Sequence, residues 1–408
     1  MRKFQVAIVG GGASGMLCAL LLADVGITDV AIFERNDRLG RKLSVTGNGQ
    51  GNISNMQMSA DFYFSDNKSR VKKVLDFFGK EQLLGYLEKL GGLFFADKEG
   101  RIYPASRQAS SVTDILRFAI EKRGLAVFLN SYVRNICKDK MLFQIDCGKD
   151  IFCADYLVLC SGGCAAPYLG TDGNGYAIAR SFGHTISEVS PSLVQLKTEQ
   201  LPIRGLKGVR TECLLRLLRK GNEFFNIYGD IIFTDYGISG NAVFRASSYV
   251  QHGDIVSIDF LPSFKEEALS KMLKSKIEMY AEHPSEDLLR CVINSAIGKS
   301  VLRYCGIGLN DLVKNIRSEL PTIVKALKNF WLKITGTMGF ENAQVTKGGV
   351  LLSELNDTLM SSIEDNLFFA GELVNVDGVC GGYNLQWAFS SGAIVADGIT
   401  RRIKNANR

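Results

Sequence analysis

Residues 6–34 constrain this chain more tightly than any other stretch. Val6-Ala7-Ile8-Val9 is the short apolar run of a buried parallel strand, and Gly10, Gly12 and Gly15 follow at G-x-G-x-x-G spacing. An apolar helical stretch, Met16 to Val25, leads to a second strand, Val30-Ala31-Ile32-Phe33, which ends on Glu34. Each part has a physical task in holding a dinucleotide: Gly10 turns the chain out of the strand, Gly12 admits a pyrophosphate to the backbone, and Gly15 lets the helix pack on the strand. The helix N-terminus offers free N–H groups and a partial positive charge to the phosphates, and Ala13 and Ser14 count among the expected cofactor-binding residues. Glu34, 19 residues after Gly15, stands where a carboxylate binds both ribose hydroxyls. The basic pair Arg2-Lys3 ahead of apolar residues imitates a signal peptide, but the glycines interrupt the apolar run and no small-residue cleavage site follows.

The rest of the composition narrows the function. At 408 residues the chain has room for two or three domains. No window supplies the ~18–20 apolar residues of a membrane span. A net charge of +6 is small for this length, and no basic stripe with interleaved aromatics appears, so the expected partner is a small-molecule substrate and not nucleic acid. Ten scattered cysteines without a C-x-x-C, and only three histidines, speak against a zinc site and for a reduced, cytoplasmic setting.

Beyond Glu34, the polar, glycine-rich stretch from Arg35 to Asn52 is too long for a plain strand-to-helix link. Thr46, Gly47, Asn48, Gly49 and Asn52 can present backbone N–H groups to a flat polar ring, and Arg41 and Lys42 can add positive charge near a pyrophosphate, with Arg35 also counted among the cofactor-binding residues. Val71–Phe78, Glu81–Leu90 and Val112–Arg123 have helical periodicity. Ala126–Leu129 reads as a third parallel strand, followed by Ser131-Tyr132-Val133, where the backbone meets an adenine. A hairpin over residues 141–154 leads to the apolar strand Tyr156–Cys160 and a second close-approach turn, Ser161-Gly162-Gly163. His184, after Gly183, reads as a capping or packing residue.

At Ser190-Pro191 the character changes. Leu193–Lys197, Val209–Leu218, Glu223–Ile227, Ile231–Phe233 and Ile255–Phe260 alternate as strands do, while Lys265–Tyr280, Glu286–Asn294, Lys299–Cys305 and Pro321–Trp331 read as helical. Parallel-sheet character then resumes. The strand Asn366–Ala370 ends on Gly371-Glu372, and a turn containing Asp377, Gly381 and Gly382 opens a last helix from about Leu385 to Ile403. This return suits FAD better than NAD, because FAD adds a ribityl chain and a flavin ring that must be held far from the adenine end. Glu372 and Asp377 are placed to bond the ribityl and phosphate groups. The last helix would point its N-terminus, at Gly381-Gly382-Tyr383, at the flavin pyrimidine edge and favour the reduced anion. A second dinucleotide fingerprint is missing, so NAD(P)H, if used, visits the flavin only transiently.

These strings carry a family resemblance. Gly10-x-Gly12-x-x-Gly15, Gly40-Arg41-Lys42-Leu43, Thr46-Gly47-Asn48-Gly49, Gly162-Gly163, Thr346-x-Gly348-Gly349-Val350 and the long run Asp377-Gly378-x-x-Gly381-Gly382-Tyr383-Asn384-Leu385-Gln386 resemble the BaiN-type (YhiN-like) bacterial FAD-dependent oxidoreductases. That family is related to the fumarate-reductase and succinate-dehydrogenase flavoproteins. The resemblance extends over nearly the whole chain. It implies an α/β fold: a Rossmann-like FAD-binding domain of glutathione-reductase type, with an inserted β-barrel-like plus helical cap domain over the flavin. The expected boundaries are 1–189 and 336–408 for the FAD-binding domain, 190–262 for the barrel-like part and 263–335 for the helical part. FAD is expected to bind non-covalently, with Asn384, Leu385 and Gln386 joining the cofactor-binding residues.

Two departures from the family pattern leave the substrate open. Gln50-Gly51 stand where the family has Arg-Cys, and Asp235 and Asn241 stand where it has His and Pro. The leading expectation is NAD(P)H-driven reduction of a small enone-like or oxo-acid-like compound. The alternative is an oxidase of a small amine or amino ketone that passes electrons to oxygen. Asp235, Tyr236, Ser239, Lys347, Cys380 and Tyr383 are candidates for the substrate face, and no catalytic acid or base can be assigned.

Overall fold

Strands that are apolar on both faces must be covered by helices on both sides, and this requirement sets the first unit. The computed structural model describes residues 2–406 and divides the chain into two units, one made of residues up to Pro191 together with those from Gln344, the other of Ser192–Ala343.

In the first unit the sheet runs in the order Ala126–Phe128, Val30–Phe33, Arg2–Val9, Ile151–Leu159, Leu142–Asp146, Asn135–Asp139. The first four strands are parallel, and the last two add an antiparallel hairpin. Residues 151–154 and 156–159 form one continuous strand, not the end of a hairpin followed by a separate strand. Its free edge is shared: residues 151–154 pair with the hairpin, while Leu157–Leu159 pair in parallel with Leu367–Phe369 from the far end of the chain. The C-terminal segment therefore completes the sheet begun at the N-terminus.

The helix Ala13–Asp24 is buried along almost its whole length, which a sequence nearly free of charge permits. It packs on the last helix, Tyr383–Ala406. The crossing is close because Gly392 lies against the Ser14 carbonyl, where a Cβ would collide. Each fully buried Leu or Ile in this core contributes about 1.5–3 kcal/mol.

The second unit has its own core. Among the described residues, six strands close an antiparallel barrel in the order Leu196–Thr198, Gly237–Ser239, Asn222–Phe233, Arg210–Arg219, Ile255–Asp259, Phe330–Thr337. Helices Glu266–Met279, Ser295–Tyr304 and Leu320–Lys328 accompany it.

Three sequence expectations change here. Glu223–Ile227 and Ile231–Phe233 are one strand. Residues 286–294 form a short 3-10 turn and bends instead of a helix. The helix from Leu320 stops at Lys328, and Phe330–Thr337 is a strand with Phe330, Leu332 and Ile334 buried and Trp331 and Lys333 exposed. That strand closes the barrel, so the second unit runs to Ala343 and not to 335. For the same reason the barrel is not confined to residues 190–262.

Candidate cofactor site

The turn after the first strand has the shape that its glycines dictate. Gly10 takes φ 113°, and a Cβ there would strike the Cys160 carbonyl. At Gly15 a Cβ would collide with the Gly10 carbonyl. Gly12 differs: no heavy atom of the described residues lies within 4 Å of where its Cβ would stand. Gly12 caps the first helix without a side-chain partner, so the turn leaves open space beside a helix N-terminus, the arrangement that accepts a pyrophosphate. Ala13 and Ser14 are buried beneath it.

A cleft continues from this turn, lined by Gly10, Glu34, Arg35, Tyr132, Val133 and Ser161 among others. Glu34 is buried, accepting from the Gly11 N–H (2.9 Å) and from the Asn36 backbone and side-chain N–H groups (2.8 and 2.7 Å). Oε1 takes both Asn36 bonds, while Oε2, which accepts only from Gly11, keeps a lone pair for a ribose hydroxyl. Arg35 stacks over the Tyr132 ring at 4.6 Å and pairs with Asp172 at 2.6 Å, which holds Asp172 below the usual carboxylate range against the effect of burial. The Val133 carbonyl accepts from the Asn174 side chain (2.8 Å). Ser161 Oγ is buried without a partner. Cys160, behind it, touches the Val9 and Gly10 carbonyls, and burial pushes its thiol up to about 12, so it packs and does not react.

The far end of the site is built from both ends of the chain. Lys42 Nζ bonds Glu372 at 2.7 Å and the Ala165 carbonyl at 3.2 Å. The other oxygen of Glu372 accepts the Thr346 N–H at 2.6 Å, and Thr346 Oγ1 accepts from the Cys164 and Ala165 N–H groups. Gly162 takes φ 79°, and a Cβ on Gly163 would strike Thr346. Gly371, at φ 71°, donates to Ser391 Oγ and accepts from the Trp387 indole, which locks the turn to the last helix. Asp377 is 1% exposed, and neither of its oxygens has a hydrogen-bond partner.

The last helix starts at Tyr383, two residues before the Leu385 read from sequence and within the Gly381-Gly382-Tyr383 turn. Gly381 and Gly382 have φ 137° and 95°, and the amides of Tyr383, Asn384 and Leu385 form its first turn. The Asn52 side-chain oxygen accepts the Gly382 N–H (3.1 Å), and Asn55 donates to the Gly381 carbonyl (3.0 Å).

The side chains of several predicted residues are engaged by the protein itself. Gln386 is fully buried, with its amide bonded to Ser54, Ser390 and the Phe78 carbonyl. Asn384 clamps the Gly378 N–H and carbonyl (2.8 and 2.7 Å). Leu385 packs against the core. The Thr46 hydroxyl donates to the Leu43 carbonyl, and Arg41 donates to Asn36. Gly47, Asn48 and Gly49 are exposed in a run of positive φ (59°, 54° and 80°), with no described atom near the Cβ direction of Gly49.

Residues 4–398 match the family described as HI0933-like protein Rossmann domain. The 3-dehydro-bile acid delta(4,6)-reductase of Clostridium scindens is 34% identical over 98% of this chain and 99% of its own. The ribosomal RNA dihydrouridine synthase of Haemophilus influenzae is 29% identical over 97% of this chain and 98% of its own. The chain belongs to the HI0933-like family. It is an enzyme, a flavin-dependent oxidoreductase. The same fold appears in the crystal structure of 3-ketosteroid delta1-dehydrogenase from Sterolibacterium denitrificans, with TM-score 0.53 and 14% identity over 98% of this chain and all of that one.

FAD fits the residues of this HI0933-like chain. The open flank of Gly12 has room for a pyrophosphate, the cleft above Glu34 would suit an adenosine, and the unpartnered Ser161 and Asp377 offer polar groups that the protein itself does not use. Asn36, Asp172, Asn174 and Thr346 were not among the cofactor-binding residues expected from sequence. Their local signals are a position next to Glu34-Arg35, the glycine-rich run 170–175 and the string Thr346-x-Gly348-Gly349-Val350. Of the candidate substrate-face residues, Asp235 is bound at the surface by Lys207 (2.7 Å), and Lys347 lies over the Phe64 ring. Tyr236, Ser239 and Cys380 are half-buried. Among the described residues no helix is long and apolar enough to cross a membrane, and no His, Cys, Asp and Glu cluster is placed to hold a metal.

Proposed function

We propose that this enzyme reduces a carbon–carbon double bond conjugated to a carbonyl in a small organic substrate, with electrons from NADH or NADPH passing through FAD. The observation that carries this reading is 34% identity, over 98% of the chain, to a relative named for reducing the Δ4,6 bonds of a 3-dehydro bile acid. The ribosomal RNA relative is named for the same bond change, since dihydrouridine is uridine with its ring double bond saturated beside a carbonyl. The expectation that nucleic acid is no partner therefore becomes a question of substrate, and a net charge of only +6 without a basic stripe favours the small molecule. A cytoplasmic setting belongs to the same proposal, in keeping with ten free cysteines.

FAD, when bound, would supply hydride chemistry: the hydride that NAD(P)H gives up would reach one carbon of the double bond, and a proton from solvent would reach the other. The chain's own residues bind and orient. Glu34 and Asn36 hold the ribose, and the amides after Gly12 hold the pyrophosphate. Lys42, Glu372 and Thr346 fix the middle of the cradle. The first turn of the last helix offers amide donors and a positive dipole end to negative charge on the ring. With one dinucleotide fingerprint, used by FAD, the nicotinamide nucleotide has no domain of its own, which predicts ping-pong turnover and weak nucleotide affinity.

The test is anaerobic. FAD-loaded enzyme is mixed separately with NADPH, NADH and aminoacetone, and flavin absorbance is followed. Bleaching by NAD(P)H, then recovery on adding a 4-ene-3-oxo steroid, is expected. Recovery with a ribosomal RNA transcript but not with the steroid moves the substrate to RNA. Bleaching by aminoacetone alone, with rapid recovery in air and peroxide release, overturns the reductase reading.

A further inference from the structure

Asp377 is a more deeply buried carboxylate than Glu34, and the fold leaves both of its oxygens without a hydrogen-bond partner. A polar group buried in this way costs free energy unless something completes it. Its surroundings are fixed on every side. The strand Val376–Gly378 pairs with Tyr63–Ser65, which sets Asp377 opposite Phe64. Neighbouring Tyr63 directs its hydroxyl to the Tyr383 carbonyl (2.9 Å). Lys347, over the Phe64 ring, attracts the Asp377 charge, and Glu372, paired with Lys42, repels it. Behind Asp377, Asn384 clamps Gly378 to the start of the last helix.

We propose that Asp377 is a positioning residue whose carboxylate is reserved for uncharged hydrogen-bond donors of FAD, and that the protein releases a proton from Asp377 as FAD binds. This rests on the FAD reading above and adds to it a proton linkage. The chemistry selects the kind of group: a phosphate would be repelled, whereas ribityl hydroxyls and the flavin ring N–H are neutral donors. Without them, burial raises the Asp377 carboxyl, Lys347 pulls it down and Glu372 raises it, leaving it at about 7. Donors to the charged form lower it again, so the proton leaves. FAD affinity therefore rises as pH rises towards 7 and levels off above it. No bond other than O–H breaks, and buffer takes the proton.

The full chain freed of FAD is titrated with FAD at about pH 6 and about pH 8, by fluorescence and by calorimetry in two buffers of different protonation enthalpy. Roughly tenfold tighter binding at the higher pH is expected, with close to one proton released at the lower. Asp377→Asn, with its fold checked by circular dichroism, should bind FAD with no pH dependence and no proton release. Lys347→Met provides a second readout, because loss of the cation should move the midpoint to higher pH. Flat affinity in the wild type, proton uptake, unchanged release in Asp377→Asn, or an unmoved midpoint in Lys347→Met overturns the proposal. A wild-type chain that binds no FAD at any pH refutes the cofactor reading instead.

Discussion

At the residue scale, Glu34 shows how one carboxylate can serve the fold and the ligand together. It fixes the glycine turn through Gly11 and orders the next loop through Asn36, yet it lines the cleft. Glu34→Ala should weaken FAD binding by about 2 kcal/mol, roughly 30-fold in Kd, the scale of a lost charge-assisted bond. Fluorescence titration checks this, and an unchanged Kd would remove Glu34 from the ribose site. Glu34 is legible in sequence because its distance from Gly15 is set within one strand–helix–strand unit. Asn36 is not, because its meaning comes from the Leu169 carbonyl, which the fold brings to 3.2 Å across 133 residues. For Gln386 the sequence shows only its place in the motif; the fold adds that helical geometry turns its amide inward to Ser54 and Ser390.

At the scale of elements, strands and helices with one strong period are readable, and those that depend on a remote partner are not. The alternation in Phe330–Thr337 follows a helical run directly, and only closure against Leu196–Thr198 and Ile255–Asp259 makes it a strand. A similar long-range lock joins the end of the helix Asn174–Ser181 to the loop before Leu367. His184 Nε2 lies 2.7 Å from Ser361 Oγ, and Nδ1 lies 3.0 Å from Glu354. Ser361 Oγ accepts N–H groups from Ile363 and Glu364, so its O–H donates to the imidazole, which is neutral. Burial holds His184 below its ordinary value, opposed by Glu354. A lowered histidine favours the neutral form in the fold, so its stability contribution is complete above about pH 6.5 and is lost as pH falls below that. Urea unfolding at about pH 7.5 and about pH 5.5 should show a smaller acid-side loss in His184→Gln than in the wild type. Equal losses would place the acid sensitivity elsewhere.

At the scale of the whole molecule, the chain interrupts one α/β unit with another unit and then returns to it. The sequence announces the interruption at Ser190-Pro191 and the return at Phe368–Glu372, because apolar parallel strands differ in pattern from alternating barrel strands. The barrel's closure and its end at Ala343 depend on pairings that no local pattern states. The described FAD cradle residues all lie in the first unit. There the outgoing and returning segments run side by side: Ser187 N–H bonds the Gly349 carbonyl (2.9 Å), and Leu351 N–H bonds the Thr185 carbonyl (3.2 Å). A short Gly-Ser linker replacing residues 193–343 therefore has little distance to span, and loop closure costs little at such lengths. The shortened chain should fold and purify with FAD, since its sheet, its helix crossing and its cradle are kept. It should lose turnover of a 4-ene-3-oxo substrate, because it lacks the inserted residues, among them the substrate-face candidates Asp235, Tyr236 and Ser239. Gel filtration with absorbance at the flavin band checks the first outcome, and steady-state NAD(P)H oxidation with that substrate checks the second. A folded but colourless product that cannot be reconstituted with FAD would show that the inserted unit supplies part of the cofactor site. Full turnover would show that the inserted unit takes no part in the reaction.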